Sequence, residues 1–177
     1  MNATPTPAPE ADVQDFADMS AALTGFLSSK LKPALDSVGL ARTYYEFALA
    51  QVGAPAMTAL LDAFRAIRTQ PPQTIADTLL ETASKTPSNL KQVEIAQSVI
   101  AMWYLGAWYR PGIKGGGGFP PTPLQIISSE AYTNGLVWQV MQSHPMGSSP
   151  FHFGYWSKPP EDSLSSLGVN TGNGGGQ

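Results

Sequence analysis

Cysteine is absent from this 177-residue chain, which excludes disulfides, thiolate nucleophiles and cysteine-ligated metals. Stability must therefore come from packing. Charge is scarce too: Asp, Glu, Lys and Arg make up 13% of residues, against about a quarter in typical soluble domains, while 42% are hydrophobic. Much of the surface is then neutral or covered, and an extensive partner interface would account for it. The net charge of −3 and the pI near 5.2 supply no basic field, and no Lys/Arg cluster supplies a local one, which argues against nucleic-acid binding. Long hydrophobic runs are missing as well. The longest candidate, Ile95 to Trp108, is broken by Gln97, Ser98 and Gly106, short of the roughly 18 to 20 apolar residues that cross a bilayer. The opening residues have neither a charged nor an apolar signal region, so the chain is read either as cytoplasmic or as a mature form with an added Met.

Histidine is limited to His144 and His152, and neither belongs to an H-E-x-x-H or similar metal pattern. Hydrogen bonding within an irregular segment is the expectation for both. Ser148 and Ser149 follow Gly147, but the surrounding Gly-Ser-Ser-Pro-Phe is not a Gly-x-Ser-x-Gly elbow and reads as a turn. The glycines 115–118 lack the Lys-Ser/Thr of a phosphate loop, and Pro120, Pro121 and Pro123 follow them, so a connector is expected there. Asp62, Glu81, Glu94 and Glu130 fall on different predicted helices, where solvated carboxylates are the ordinary outcome. No catalytic, cofactor-binding or metal-ligating residue is predicted in this chain.

What is present is helical periodicity. The length suits one domain: a disordered lead over 1–11, a helical domain over 12–160 and a Gly-rich flexible tail over 161–177. Phe16, Met19, Leu23 and Phe26/Leu27 recur at three- and four-residue intervals and predict a helix from Asp12 to about Ser29. A second helix is expected from Pro33 to Gln51, with Leu35, Val38, Tyr45 and Leu49 in the core. Met57, Leu60, Leu61, Phe64 and Ile67 form a third stripe, stopped at Gln70-Pro71-Pro72. A short fourth helix spans Thr74 to Ser84. Leu90, Val93, Ala96, Ile100, Trp103, Tyr104 and Ala107 mark the strongest helix, whose apolar flanks at Met102 and Trp108 predict burial on most sides. Ser128 or Ser129 would cap a last helix that buries Tyr132, Leu136, Val137, Val140 and Met141. The fold class is all-α, with five or six helices and an irregular aromatic and proline-rich C-terminal segment. There, Phe151, Phe153, Tyr155 and Trp156 together carry about 600 to 1000 Å² of aromatic surface, which must fold back on the helices or dock against another protein.

Three segments occur in an informative order: Ile100-Ala-Met-Trp103-Tyr104-Leu-Gly106, Tyr132-Thr-Asn-Gly135-Leu136-Val-Trp138-Gln139, and Gly154-Tyr155-Trp156-Ser-Lys-Pro159-Pro160. Over residues 93–160 the chain resembles the small (gamma) subunit of membrane-associated, FAD-dependent sorbitol, fructose, gluconate and glucose dehydrogenase complexes. The resemblance implies a non-catalytic accessory subunit that binds, stabilises and helps to mature and export a large flavoprotein. It implies FAD and an iron–sulfur cluster in that large subunit, haem c in a membrane-anchored multi-haem cytochrome, and a periplasmic location. Members usually carry a cysteine near the segment that here reads Pro150-Phe151-His152-Phe153, so a disulfide-linked complex is excluded; Gly135 stands where alanine is common, and no twin-arginine signal is present. The residues expected at the partner contact are Trp103, Tyr104, Trp108, Trp138, Tyr155 and Trp156, since large aromatics dominate interfaces. Individually, Trp103, Tyr104 and Trp138 read equally well as core. The alternatives are a free-standing helical scaffold or chaperone, and a stand-alone helical enzyme with a site built from scattered carboxylates, tyrosines and histidines.

Overall fold

A computed structural model of the chain describes residues 8–81, 87–109, 125–145 and 147, with backbone alone at 87–91. Residues 1–7 of the expected lead over 1–11, and the expected tail over 161–177, lie outside the described residues. The architecture is largely all-α: eight helical segments and one two-stranded ladder among the described residues.

Helix α1 (Glu10–Thr24) begins two residues before the expected Asp12, behind Pro9, and Glu10 and Asp12 place negative charge at its positive end. Val13, Phe16, Ala17, Met19 and Leu23 are buried, as the three- and four-residue spacing requires. The helix stops at Gly25, whose φ of 79° is the left-handed cap that glycine adopts without a Cβ penalty. A separate single turn, α2 (Ser28–Leu31), takes up what was expected to be the end of the first helix.

The helix expected from Pro33 is corrected: α3 (Leu40–Val52) starts seven residues later. The side chain of Asp36 accepts the Gly39 N–H at 2.6 Å, and Gly39 has a left-handed φ of 68°. Local side-chain bonding of this kind competes with helix hydrogen bonds. Consequently Leu35 and Val38, expected in the core, are exposed, Leu35 by 94%. Ala41, Tyr44, Tyr45 and Ala48 supply the buried face of α3 instead, while Leu49 packs partly buried against the core.

Helix α4 (Ala54–Ile67) buries Met57, Leu60, Leu61 and Phe64 along the predicted stripe. The two prolines that end the α4 turn also open α5 (Pro72–Leu80), because proline at the first helical position removes only an N–H that has no helical partner. Helix α5 is shorter than expected and leaves Glu81 extended; residues 82–86 lie outside the described set.

Helix α6 (Pro87–Leu105) is buried on most sides over its later part, where Ile95, Val99 and Met102 are sealed alongside Val93, Ala96 and Trp103. Helices α1 and α6 each pack on several others and together carry the single hydrophobic core. After α6, Gly106 turns the chain into β1 (Ala107–Trp108), which pairs antiparallel with β2 (Gln125–Ile126) in the register Ala107 to Ile126. No alternation announces this ladder, because two residues are too few to display a period.

The last expected helix is corrected into two short ones, α7 (Ser129–Thr133) and α8 (Leu136–Val140), with a break at Asn134-Gly135. Ser128 is the N-cap, accepting the Ala131 N–H at 3.0 Å. Of the face expected to be buried, only Leu136 is; Tyr132 and Val137 are half-buried, and Val140 and Met141 are exposed.

Candidate partner interface

Two of the three informative segments meet. Gly106 has a φ of 64°, donates its N–H to Met102 O at 2.9 Å and accepts the Ile127 N–H at 3.1 Å. A Cβ there would lie 2.4 Å from the Ala131 backbone, so only glycine allows this approach. A Cβ on Gly135 would lie 2.7 Å from Tyr104 O, so the break between α7 and α8 sits directly on the last turn of α6. Both glycines act as contact points between backbones. Their role joins the end of α6 to α7 and α8.

The six aromatic residues singled out in the sequence divide by surroundings. Trp103 and Trp108 are interior, 3% and 2% exposed. Trp103 meets the ring of Tyr44 edge-on at 4.6 Å, and Trp108 meets Phe47 at 6.1 Å. Among the described residues neither indole N–H has an acceptor. Tyr104 and Trp138 are half-buried. The Tyr104 hydroxyl donates to Thr24 O at 3.0 Å and its ring stacks edge-on with Phe26, whereas Trp138 donates Nε1–H to Tyr132 O at 2.8 Å and packs against the Tyr132 ring. Tyr155 and Trp156 lie outside the described residues, as do the glycines 115–118, Ser148, Ser149 and His152.

Sequence reasoning missed a set of aliphatic residues around this joint. Leu105, Ile126, Val140 and Met141 are all exposed, Met141 by 65%. Ile126 faces outward from the ladder beside Gly106, and Val140 and Met141 close α8 just beyond Trp138. The signal available was the break itself: Asn134-Gly135 within an apolar stretch turns the end of that stretch away from the core. Leu105 ends α6, Ile126 lies on the ladder, and Val140 and Met141 end α8, elements that pack on one another beside the half-buried Tyr104 and Trp138.

Several charged and polar groups tie elements of the fold together. Arg65 donates from Nε to Asp15 at 2.6 Å, from a terminal nitrogen to Asp12 at 2.6 Å and to Asp62 at 3.0 Å, clamping α4 to α1. These hydrogen bonds, with Asp15 first, hold its guanidinium even more firmly protonated than usual. Burial raises the hydroxyl of Tyr44, which donates to Ala131 O at 3.4 Å, and also that of Tyr104. The Glu130 carboxyl is lowered by hydrogen bonds from its own backbone N–H and from Ser128. Glu10 is lowered by the Lys32 hydrogen bond and charge, with Arg42 adding to it. His144 is half-buried with Nδ1 3.0 Å from Pro145 O. Among the described residues no group of three His, Cys, Asp or Glu side chains gathers into a metal site. No helix among them is long and apolar enough to cross a membrane.

No protein-family model, curated protein or solved structure matches the chain.

Proposed function

We propose that this chain is a non-catalytic small subunit that binds and stabilises a large FAD-dependent sugar or alcohol dehydrogenase in the periplasm. The observation that carries the reading is a set of exposed aliphatic side chains on elements that pack at the end of α6, where two of the three segments resembling such subunits meet. Leu105, Ile126, Val140 and Met141, with the outer edges of Tyr104 and Trp138, make the contact. Trp103 and Trp108 support it from inside. In this role FAD and the iron–sulfur cluster belong to the large subunit and haem c to a membrane-anchored cytochrome, and this chain contributes binding energy alone.

The mechanism is linkage. A chain that binds the folded large subunit and not its unfolded form stabilises it by about 2.7 kcal/mol when present at about 100 times its dissociation constant. Such a mechanism requires no poised acid, base or nucleophile, in keeping with a chain whose strongest ionic cluster ties two of its own helices together. The test is removal of this gene from the native host, with membrane dye-linked sugar and alcohol dehydrogenase activity and bound flavin measured together. The expected result is loss of both, restored by the intact gene and not by a Leu105→Asp, Met141→Asp variant. Unchanged activity and flavin would overturn the proposal.

A further inference from the structure

A cleft of about 530 Å³ opens between the second half of α1, residues 26–28 and the junction of α4 with α5. The volume is within the range of about 300 to 1,000 Å³ common for small-molecule sites. Its lining includes Phe26, Phe64 and Ile75, core side chains that show one edge to the cleft, and Leu27, which is left 47% exposed there. Two opposite charges also face it, Asp18 from α1 and Arg68 from the end of α4.

Neither charge is held by an ion pair closer than 3.6 Å among the described residues. Oδ1 of Asp18 accepts from Gln14 at 3.0 Å and from Ser28, both neutral donors, and no ion pair reaches the carboxylate among the described residues. Arg68 has one ionic contact, to Asp15 at 3.6 Å, and that carboxylate is already held at 2.6 Å by Arg65. Among the described residues Arg68 and Asp18 form no ion pair with each other.

We infer that this cleft binds a small zwitterion with an apolar side chain, of which a free apolar α-amino acid is the simplest case. The ammonium group pairs with the open oxygen of Asp18, the carboxylate with Arg68, and the side chain lies on Phe26, Leu27, Phe64 and Ile75. Arginine suits a carboxylate because its donors match both oxygens. The cleft adjoins Tyr104 through Phe26, but Asp18 and Arg68 take no part in the proposed partner contact, so substitutions at these two charges test the cleft alone.

The experiment is an amide NMR titration of the intact chain with L-phenylalanine, with phenylalaninamide lacking the carboxylate, and with 3-phenylpropionate lacking the ammonium. The expected result is saturable shifts confined to residues 18–28 and 64–75, with each single-charge analogue weaker by about tenfold. Asp18→Asn should weaken phenylalanine and phenylalaninamide and spare phenylpropionate, and Arg68→Gln should do the reverse. Both side chains are outside the core, so unchanged amide spectra of the free variants confirm that they are folded. No localised shift at about 10 mM phenylalanine, a concentration that reveals even millimolar affinity, would overturn the inference. Shifts equal in both variants would overturn it too.

Discussion

Gly106 and Gly135 show how single residues set the geometry of this molecule. Each is required by a neighbouring backbone: Ala131 faces the first at 2.4 Å and Tyr104 O faces the second at 2.7 Å, measured to the position a Cβ would take. Gly135→Ala should cost about 1 to 3 kcal/mol, the usual penalty for forced overpacking, as read by urea unfolding. Gly106→Ala should cost more, since it adds a left-handed φ to the clash. The aromatic residues are separated by the same logic. Trp103→Ala should lose about 3 to 5 kcal/mol through the cavity it leaves, whereas Met141→Asp should stay within about 0.5 kcal/mol, as exposed positions do. Equal losses at the two sites would contradict the division between interior and surface made here.

The buried tyrosines carry a pH dependence with a definite sign. Tyr44 and Tyr104 are raised above the ordinary value of 10.0 by burial. As pH rises past 10 the unfolded chain releases these protons first, the folded chain holds them, and stability falls. Tyr44→Phe and Tyr104→Phe should each flatten the alkaline limb of a stability profile followed by thermal melting. At the acid end, Glu10 is lowered below 4.5, so its stabilising contacts are present above that pH and are lost as pH falls through its folded value.

At the scale of elements, the Arg65 clamp joins α4 to α1 through two carboxylates, Asp12 and Asp15, while Asp62 of α4 holds the same guanidinium. Its side chain is about one-third exposed, so Arg65→Ala should cost about 1 to 2 kcal/mol, more than an isolated surface pair and less than a buried one. Urea unfolding of Arg65→Ala beside Arg42→Ala, a more open cluster with Glu10 and Glu46, checks the difference. Where apolar periodicity and capping residues agreed, the sequence was legible: α1, α4, α6 and the Ser128 cap all follow from it. It was misleading where a stripe ran through a local competitor. Leu35 and Val38 continue the spacing of α3, but Asp36 and Gly39 close a turn across them, and Leu35→Ser should therefore leave stability within about 0.5 kcal/mol. Val140 and Met141 were assigned to a core that the Gly135 break turns away from.

The described residues combine a tight aromatic interior with exposed aliphatic side chains on the elements at the end of α6. Of the proposed partner contact, the sequence indicated the segments and two half-buried aromatics, Tyr104 and Trp138; it could not indicate Leu105 or Ile126, whose exposure depends on how the end of α6 meets a ladder over a long sequence interval. Large apolar side chains are the same in sequence whether they face a core or a partner. Trp103 and Trp108, the most conspicuous of them, are interior. The low charge content acquires a physical reason if this end is covered in the assembled state.

The most direct measurement is purification of the tagged chain from its native host in mild detergent, followed by mass spectrometry and an absorption spectrum of the intact assembly. The account predicts a large flavoprotein in fixed proportion, a flavin spectrum and dye-linked sugar or alcohol dehydrogenase activity, all lost from the Leu105→Asp, Met141→Asp variant while that variant remains folded. Recovery of the unmodified chain alone, folded and without flavin, would contradict it.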